Sequence, residues 1–290
     1  MRLTQSYIAP RLAVAPAMLV TLVAFVGSIG FTVFLSFTDS RRTPSYGFVG
    51  LRQYERLFAD PNWWMAIKNM AIFAAGSLSS LVFGFILAAI IAKDIRGSSV
   101  FRTIFLYPLS ISLIVTGIAW RWLFAPDLGL ESFFHSIGLT WVNFHWLNSP
   151  DTVMAGVTLA AVWQNTGFFM ALMISGLKGI NPEIWRAGRL DGVPFWRFYI
   201  EIIIPMMKFT FISCAILMTI GVVRAYDIVV AMTRGGPGNS SYLPAFFTVS
   251  AYWDRLNLGY GSAAATLMLA TTLVVFLPAI IIRAKRGGAA

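Results

Sequence analysis

Long uncharged apolar runs alternate with short polar segments along this chain. The runs cover 12–37, 69–92, 103–120, 152–177, 209–223 and 256–282. A helix needs about 20 apolar residues to cross the hydrocarbon core of a bilayer, and most of these runs reach that length. The fifth is interrupted by Arg224 and Asp227, after which the apolar pattern resumes through Met232. The pattern therefore predicts an all-α membrane protein with six transmembrane helices, at about 12–37, 69–92, 103–125, 152–177, 209–232 and 258–282. They would form one domain over 1–290. The first run is too long for the core of a signal peptide and reads as a retained span.

Composition agrees with a membrane location. Hydrophobic residues make up 58% of the chain and charged residues 12%, with a mean hydropathy of +0.73. A water-soluble domain carries more charge than this. The net charge of +10 raises the question of nucleic acid, and the placement of the charges answers it. With the N-terminus inside, segments 1–11, 93–102, 178–208 and 283–290 hold 13 Lys and Arg, whereas the outward segments 38–68, 124–152 and 233–258 hold 7. That is the positive-inside bias, so both termini are expected in the cytoplasm and no nucleic-acid partner is implied.

The loops carry their own signals. Leu51, Tyr54, Leu57 and Phe58 recur at helical spacing in the first outward loop, predicting an amphipathic helix on the membrane surface. "TRGGPGNSSYLP" must turn rather than continue a helix. Trp63, Trp64, Trp120, Trp122, Trp141, Trp146 and Trp253 fall at the outward side, where an interfacial aromatic belt accounts for most and sugar stacking for one or two. His135 and His145 read as solvated loop imidazoles. Cys214 is the single cysteine, so neither a disulfide framework nor a cysteine metal site is expected. Small residues one turn apart, at Gly84/Ala88/Ala92, Gly167/Ala171/Ser175 and Ala263 to Ala265, predict close helix packing.

The charged stretch between the fourth and fifth runs, "NPEIWRAGRLDGVPFWRFYIEIIIP" (181–205), is unlike the rest. Asn181 suits a helix N-cap and Pro182 its first position, while Glu183 complements the positive helix end. Asp191-Gly192 is a stop in which glycine adopts the left-handed conformation. Pro194 opens a second short helix, Pro205 precedes the fifth span, and Arg186, Arg189 and Arg197 flank the pair. One reading is an interfacial elbow that merely links two spans. The other is a docking element, since Ala187 and Gly188 keep one face small for a partner.

"EIWRAGRLDGVPFWRFYIEIIIP" resembles the cytoplasmic loop of ABC importer permeases, whose pattern is Glu-Ala-Ala, three residues, Gly, about nine residues, then Ile-x-x-Pro. Ala187, Gly192, Ile202 and Pro205 fall on that pattern, with Arg186 in place of the usual Glu and Gly188 in place of the second Ala. "GLRQYERLFADPNWW", "FLYPLSISLIVTGIAWRWLFAPDLG", "VWQNTGF", "YDIVVAMTRGGPG" and "LGYGSAAATLML" are similar, in order, to further segments of the carbohydrate branch, with glucose and α-glucoside permeases as the nearest echo. The resemblance implies the type I ABC importer permease fold with a cytoplasmic coupling helix in the loop 178–208, in a bacterial or archaeal cytoplasmic membrane. It further implies a second permease subunit of a different sequence, an ATPase dimer that binds ATP and Mg, and an external sugar-binding protein. Glu183, Arg186, Ala187, Gly188, Asp191 and Gly192 would couple to the ATPase.

Arg224 and Asp227 lie three residues apart with Tyr226 beside them. On one helix they would share a face, either as a salt bridge or as a lining for sugar hydroxyls. Gln164, Asn165 and Thr166 form a second polar cluster. The resemblance makes Gln164, Asn165, Tyr226 and Asp227 the candidate substrate path; Arg121 reads as snorkelling to the interface. A phosphate-binding G-x-x-x-x-G-K-[ST] motif is absent from the sequence, so this chain is expected to bind no cofactor and not to hydrolyse ATP. With one Cys, two loop His and one intramembrane carboxylate, a membrane enzyme lacks its parts. A secondary transporter would leave the capped segment without a role. A glycerophosphate or polyol cargo remains the alternative to a sugar.

Overall fold

A computed structural model describes residues 5–92, 97–126 and 128–287, with side-chain surroundings between 13 and 274 of that range. Arg2, Lys93 and Arg96, which count toward the expected inward charge excess, lie outside the described residues. The described chain is helical, with a single isolated bridge between Thr38 and Phe48. It divides into two compact units, 1–63 with 247–290, and 64–246.

In the first unit, the helix Gln5–Thr21 continues through a π-turn at Leu22–Gly27 into Ser28–Leu35. The last helix runs Leu258–Gly287, longer than its apolar run. Gly259 lets it meet the backbone of the loop that follows Leu35: its Cβ would strike the Thr38 carbonyl, and its N–H donates to Ser40 O at 2.8 Å. The predicted amphipathic helix forms as Arg52–Ala59, with one face packed on protein. Gln53 and Leu57, one turn apart, are its fully buried residues, and Gln53 Nε2 donates to Thr38 O at 2.9 Å. Leu51 stays exposed. Trp63 is buried edge-on against Phe247, 5.4 Å between centroids.

The second unit starts within the helix Pro61–Ile91, which begins eight residues before its apolar run because Pro61 suits a first helical turn. The helix Val153–Lys178 is its centre. Between helices in a bilayer, association rests on close packing rather than on hydrophobic force, so small residues decide where backbones meet. Gly84 does so here, since its Cβ would lie 2.9 Å from Met170 N. Around this contact Met170, Met173, Ile174, Leu177, Ile203 and Cys214 form one buried cluster, and Phe73, Val157, Val222, Val229 and Leu243 belong to another.

Two of the predicted spans are not single straight helices. The third run is not one straight helix: Ser98–Leu106 passes through a 3-10 turn at Tyr107–Ser110 and resumes as Leu113–Leu123, turned by 100°. Pro108 lacks the N–H a continuing helix needs, Ile111 is extended, and Ser112 caps the new helix by accepting from Val115 N at 3.3 Å. The fifth run ends at Val223; Arg224–Tyr226 is non-helical, and Asp227–Met232 is a separate short helix. Upstream of it, Phe195–Met206 meets Lys208–Val223 at 74°. Among the described residues, three helices are long and apolar enough to cross a membrane, Ala13–Leu35, Pro61–Ile91 and Val153–Lys178, and the two bent pairs raise this to five.

Candidate functional site

The charged elbow folds as its residues dictate. Asn181 accepts a hydrogen bond from Glu183 N at 2.9 Å, Pro182 starts the helix Pro182–Leu190, and Gly192 turns the chain at φ +63°. Val193 N closes the turn on Gly188 O at 3.2 Å. The next helix opens after Pro194 and runs Phe195–Phe198 into a π-turn, where Arg197 Nε meets both Glu201 oxygens at 2.9 Å.

This helix has two distinct faces. Inward, Trp185 packs on Phe198 at 5.4 Å and on Tyr199 at 5.9 Å between centroids. Gly188 lies under the Phe198 ring, where any Cβ would collide with it. Outward, Glu183, Arg186, Ala187, Leu190 and Asp191 are exposed, Leu190 at 88%. Ala187 and Gly188 therefore do not form one small face for a partner: adjacent helix positions diverge by about 100°, and Gly188 is small to admit a ring of its own chain. The sequence reading also missed Leu190, whose apolar side chain at the tip is the clearest unspent contact. A cavity of about 930 Å³ lies alongside, bounded by Lys178, Trp185, Arg186, Arg189, Phe195 and Tyr199.

The polar residues of the proposed path have separate surroundings. Gln164 is buried, and its Nε2 donates to Ile111 O at 2.8 Å, at the break of the third run. One turn on, Gly167 brings the same helix onto the Phe105 carbonyl. Gln164 and Gly167 thus hold a bent backbone whose carbonyls need a partner. Asn165 and Thr166 bond back to Ala161 O at 2.8 Å and Val162 O at 2.7 Å.

Arg224 and Asp227 do not share a helix face. Arg224 caps the C-terminus of Lys208–Val223 and Asp227 opens Asp227–Met232, so each complements the partial charge of its helix end. Among the described residues no ion pair joins them. Both are exposed, and Tyr226 stacks on Phe246 at 6.0 Å. The short helix reaches Leu113–Leu123 through Gly117, which faces Ala231.

In the second unit, Asn69 Nδ2 donates to Ser240 O at 2.7 Å and Tyr242 O at 2.9 Å, pinning the Gly-Pro-Gly turn. The histidines are not simply solvated: His135 Nε2 lies 3.0 Å from Val142 O, and His145 Nε2 lies 3.6 Å from buried Glu131. Of the belt tryptophans, Trp64, Trp122, Trp141 and Trp253 are exposed, while Trp146 stacks on Phe124 at 5.6 Å. In the first unit, Asp60 Oδ2 accepts from Arg255 Nη1 at 2.9 Å and Tyr260 OH at 2.8 Å, and Oδ1 from Asn62 N at 2.8 Å. Burial pushes this carboxyl up, but those hydrogen bonds outweigh it and hold Asp60 below its ordinary value. Asp60 is so distant in sequence from Arg255 and Tyr260 that no pattern linked them.

Residues 80–284 match the family described as the binding-protein-dependent transport system inner membrane component. A probable ABC transporter permease of Pyrococcus horikoshii is 32% identical, the match covering 91% of each chain. The trehalose/maltose transport system permease of Thermococcus litoralis is 29% identical over 95% of this chain and 92% of its own. A bacterial alginate ABC transporter, solved in complex with an alginate pentasaccharide-bound periplasmic protein, contains a chain of the same fold. Its TM-score is 0.82 at 17% identity, covering 96% of this chain and 95% of that one. Matched over residues 80–284 by the family model and over 91% of its length by a relative 32% identical, this chain belongs to the family of binding-protein-dependent transport system inner membrane components.

Proposed function

We propose that this permease subunit carries a carbohydrate inward as half of a translocation pathway and is driven by an ATPase docked on the elbow 181–205. The observation that carries the coupling role is the two-faced helix Pro182–Leu190, fixed on Trp185, Phe198 and Tyr199 while Arg186, Leu190 and Asp191 stand exposed. A short helix so held transmits a rigid-body displacement that a mobile loop would absorb. Glu183, Arg186, Ala187 and Asp191 make the docking face, and Gly188 and Gly192 shape it from within. The carbohydrate cargo is supported by the kinship with the trehalose/maltose permease.

In this reading the chain is one permease domain crossing the cytoplasmic membrane six times. The two bent pairs each count as a crossing, as does the helix from Leu258, and both ends are cytoplasmic. Asn165, Tyr226 and Asp227 line the path, and Gln164 shapes it by holding the bend at Ile111. The partners are a second, different permease, an ATPase dimer that binds ATP and Mg, and an external binding protein; this chain holds no cofactor.

Mild detergent extraction from native membranes, with mass spectrometry of what co-purifies, tests the assembly. An ATPase and a second hydrophobic subunit are expected; recovery of this chain alone would remove the coupling role. Uptake by Arg224→Ala of neutral against anionic substrates tests the cargo. Selective loss of anionic uptake would point to a glycerophosphate, against the carbohydrate reading.

A further inference from the structure

The first unit holds a second polar concavity that the coupling and path residues do not use. It has a volume of about 430 Å³ and is bounded by Arg56, Ala59, Asp60, Arg255, Asn257 and Tyr260. Its frame is rigid. Arg56 stands on a helix anchored by fully buried Gln53 and Leu57, and Asp60 ties Arg255 and Tyr260 together. The Arg56 and Arg255 guanidinium carbons lie 5.8 and 5.9 Å from the centroid of the Tyr260 ring. Two cations are therefore held around one ring with a single carboxylate, Asp60, among the lining residues. Arg56 is exposed and makes no ion pair among the described residues. Glu55 and Asp254, next to the arginines in sequence, do not line the cavity.

We propose that this concavity receives a carboxylate side chain of the soluble binding protein, clamped by Arg56 with Arg255. The inference rests on the reading of loop 38–68 as external, and it adds the chemistry and place of docking. Guanidinium groups bind carboxylates through paired N–H donors, and this geometry gives orientation as well as attraction. The excess positive charge also steers an acidic surface toward the site. A sugar ring is a poorer occupant, because the Arg56 guanidinium already lies over the Tyr260 ring and that of Arg255 lies between this ring and Phe247, 5.9 and 5.1 Å from their centroids. A lipid is poorer still, because Ala59 is the only aliphatic side chain in the lining.

The test uses the complete transporter in nanodiscs of neutral lipid, with ATPase activity followed against the concentration of its cognate binding protein. Arg56→Glu is expected to raise the half-saturating concentration about tenfold or more and Arg56→Gln by less. Arg56→Lys should stay nearer the parent, and the maximal rate should hold within twofold. Reversing the matching acidic residue of the binding protein to Arg is expected to restore Arg56→Glu. An unchanged half-saturation in Arg56→Glu, or in Arg56→Gln should the Glu variant fail to assemble, overturns the proposal. So does a fall in maximal rate alone, or an effect seen only when anionic lipid is present, which would assign the cavity to a phosphate headgroup. A parent complex that no binding protein stimulates would instead sink the importer reading itself.

Discussion

The ring of Phe198 fills the space that a side chain at Gly188 would need. Phe198 is itself buried and flanked by Trp185, so it has little room to yield. Gly188→Ala is expected to destabilise the elbow by about 1–3 kcal/mol, the usual penalty for overpacking. Thermal unfolding in detergent checks this, and adding Phe198→Leu should recover much of the loss. An equally stable Gly188→Ala would mean the ring moves freely.

Gly192 turns the elbow at φ +63°, whereas proline is locked near −65°. Gly192→Pro should therefore leave the protein in the membrane but abolish co-purification of the ATPase. Normal association in that variant would remove the docking role of the helix.

Gln164 supplies the hydrogen bond that the Ile111 carbonyl needs at the bend. Gln164→Leu leaves that acceptor without it, at a cost of about 1–3 kcal/mol. The expected signature is lower thermal stability with a matching fall in uptake of every substrate. Selective loss of one cargo would instead make Gln164 a direct contact.

Asn69 holds the 233–243 turn through two carbonyls. Asn69→Leu should expose this turn to external protease in right-side-out vesicles, at a stability cost of about 1–3 kcal/mol. Unchanged cleavage would show that the turn holds without Asn69.

Asp60 is held below its ordinary value, so its contribution is present above the ordinary carboxylate range and lost as pH falls through the lowered value. Between pH 8 and 5 this carboxylate should add no pH dependence to stability. Asp60→Asn should cost about 1 kcal/mol at neutral pH, a modest figure because Arg255 is partly solvent-screened. The difference between parent and variant should shrink only below about pH 4. Equal melting temperatures at pH 7 would show the contact to be idle.

Sequence alone determined the membrane class, the helical content and the elbow. Apolar run length and cap residues such as Asn181, Pro182 and Gly192 act through local physics: burial of backbone groups in hydrocarbon, and the φ values open to each residue. Family kinship was equally legible, because the order of short segments carries it. Tertiary structure decided where the helices bend, since a bend at Ile111 is tolerable only when Gln164 and Gly167 from another helix meet it. It also reassigned Gly188, whose smallness looked like room for a partner and is room for Phe198. The Asp60–Arg255–Tyr260 cluster had no sequence signal at all: Asp60 lies 195 and 200 residues from Arg255 and Tyr260, and only the folded chain brings its carboxylate within 3 Å of the guanidinium and the hydroxyl.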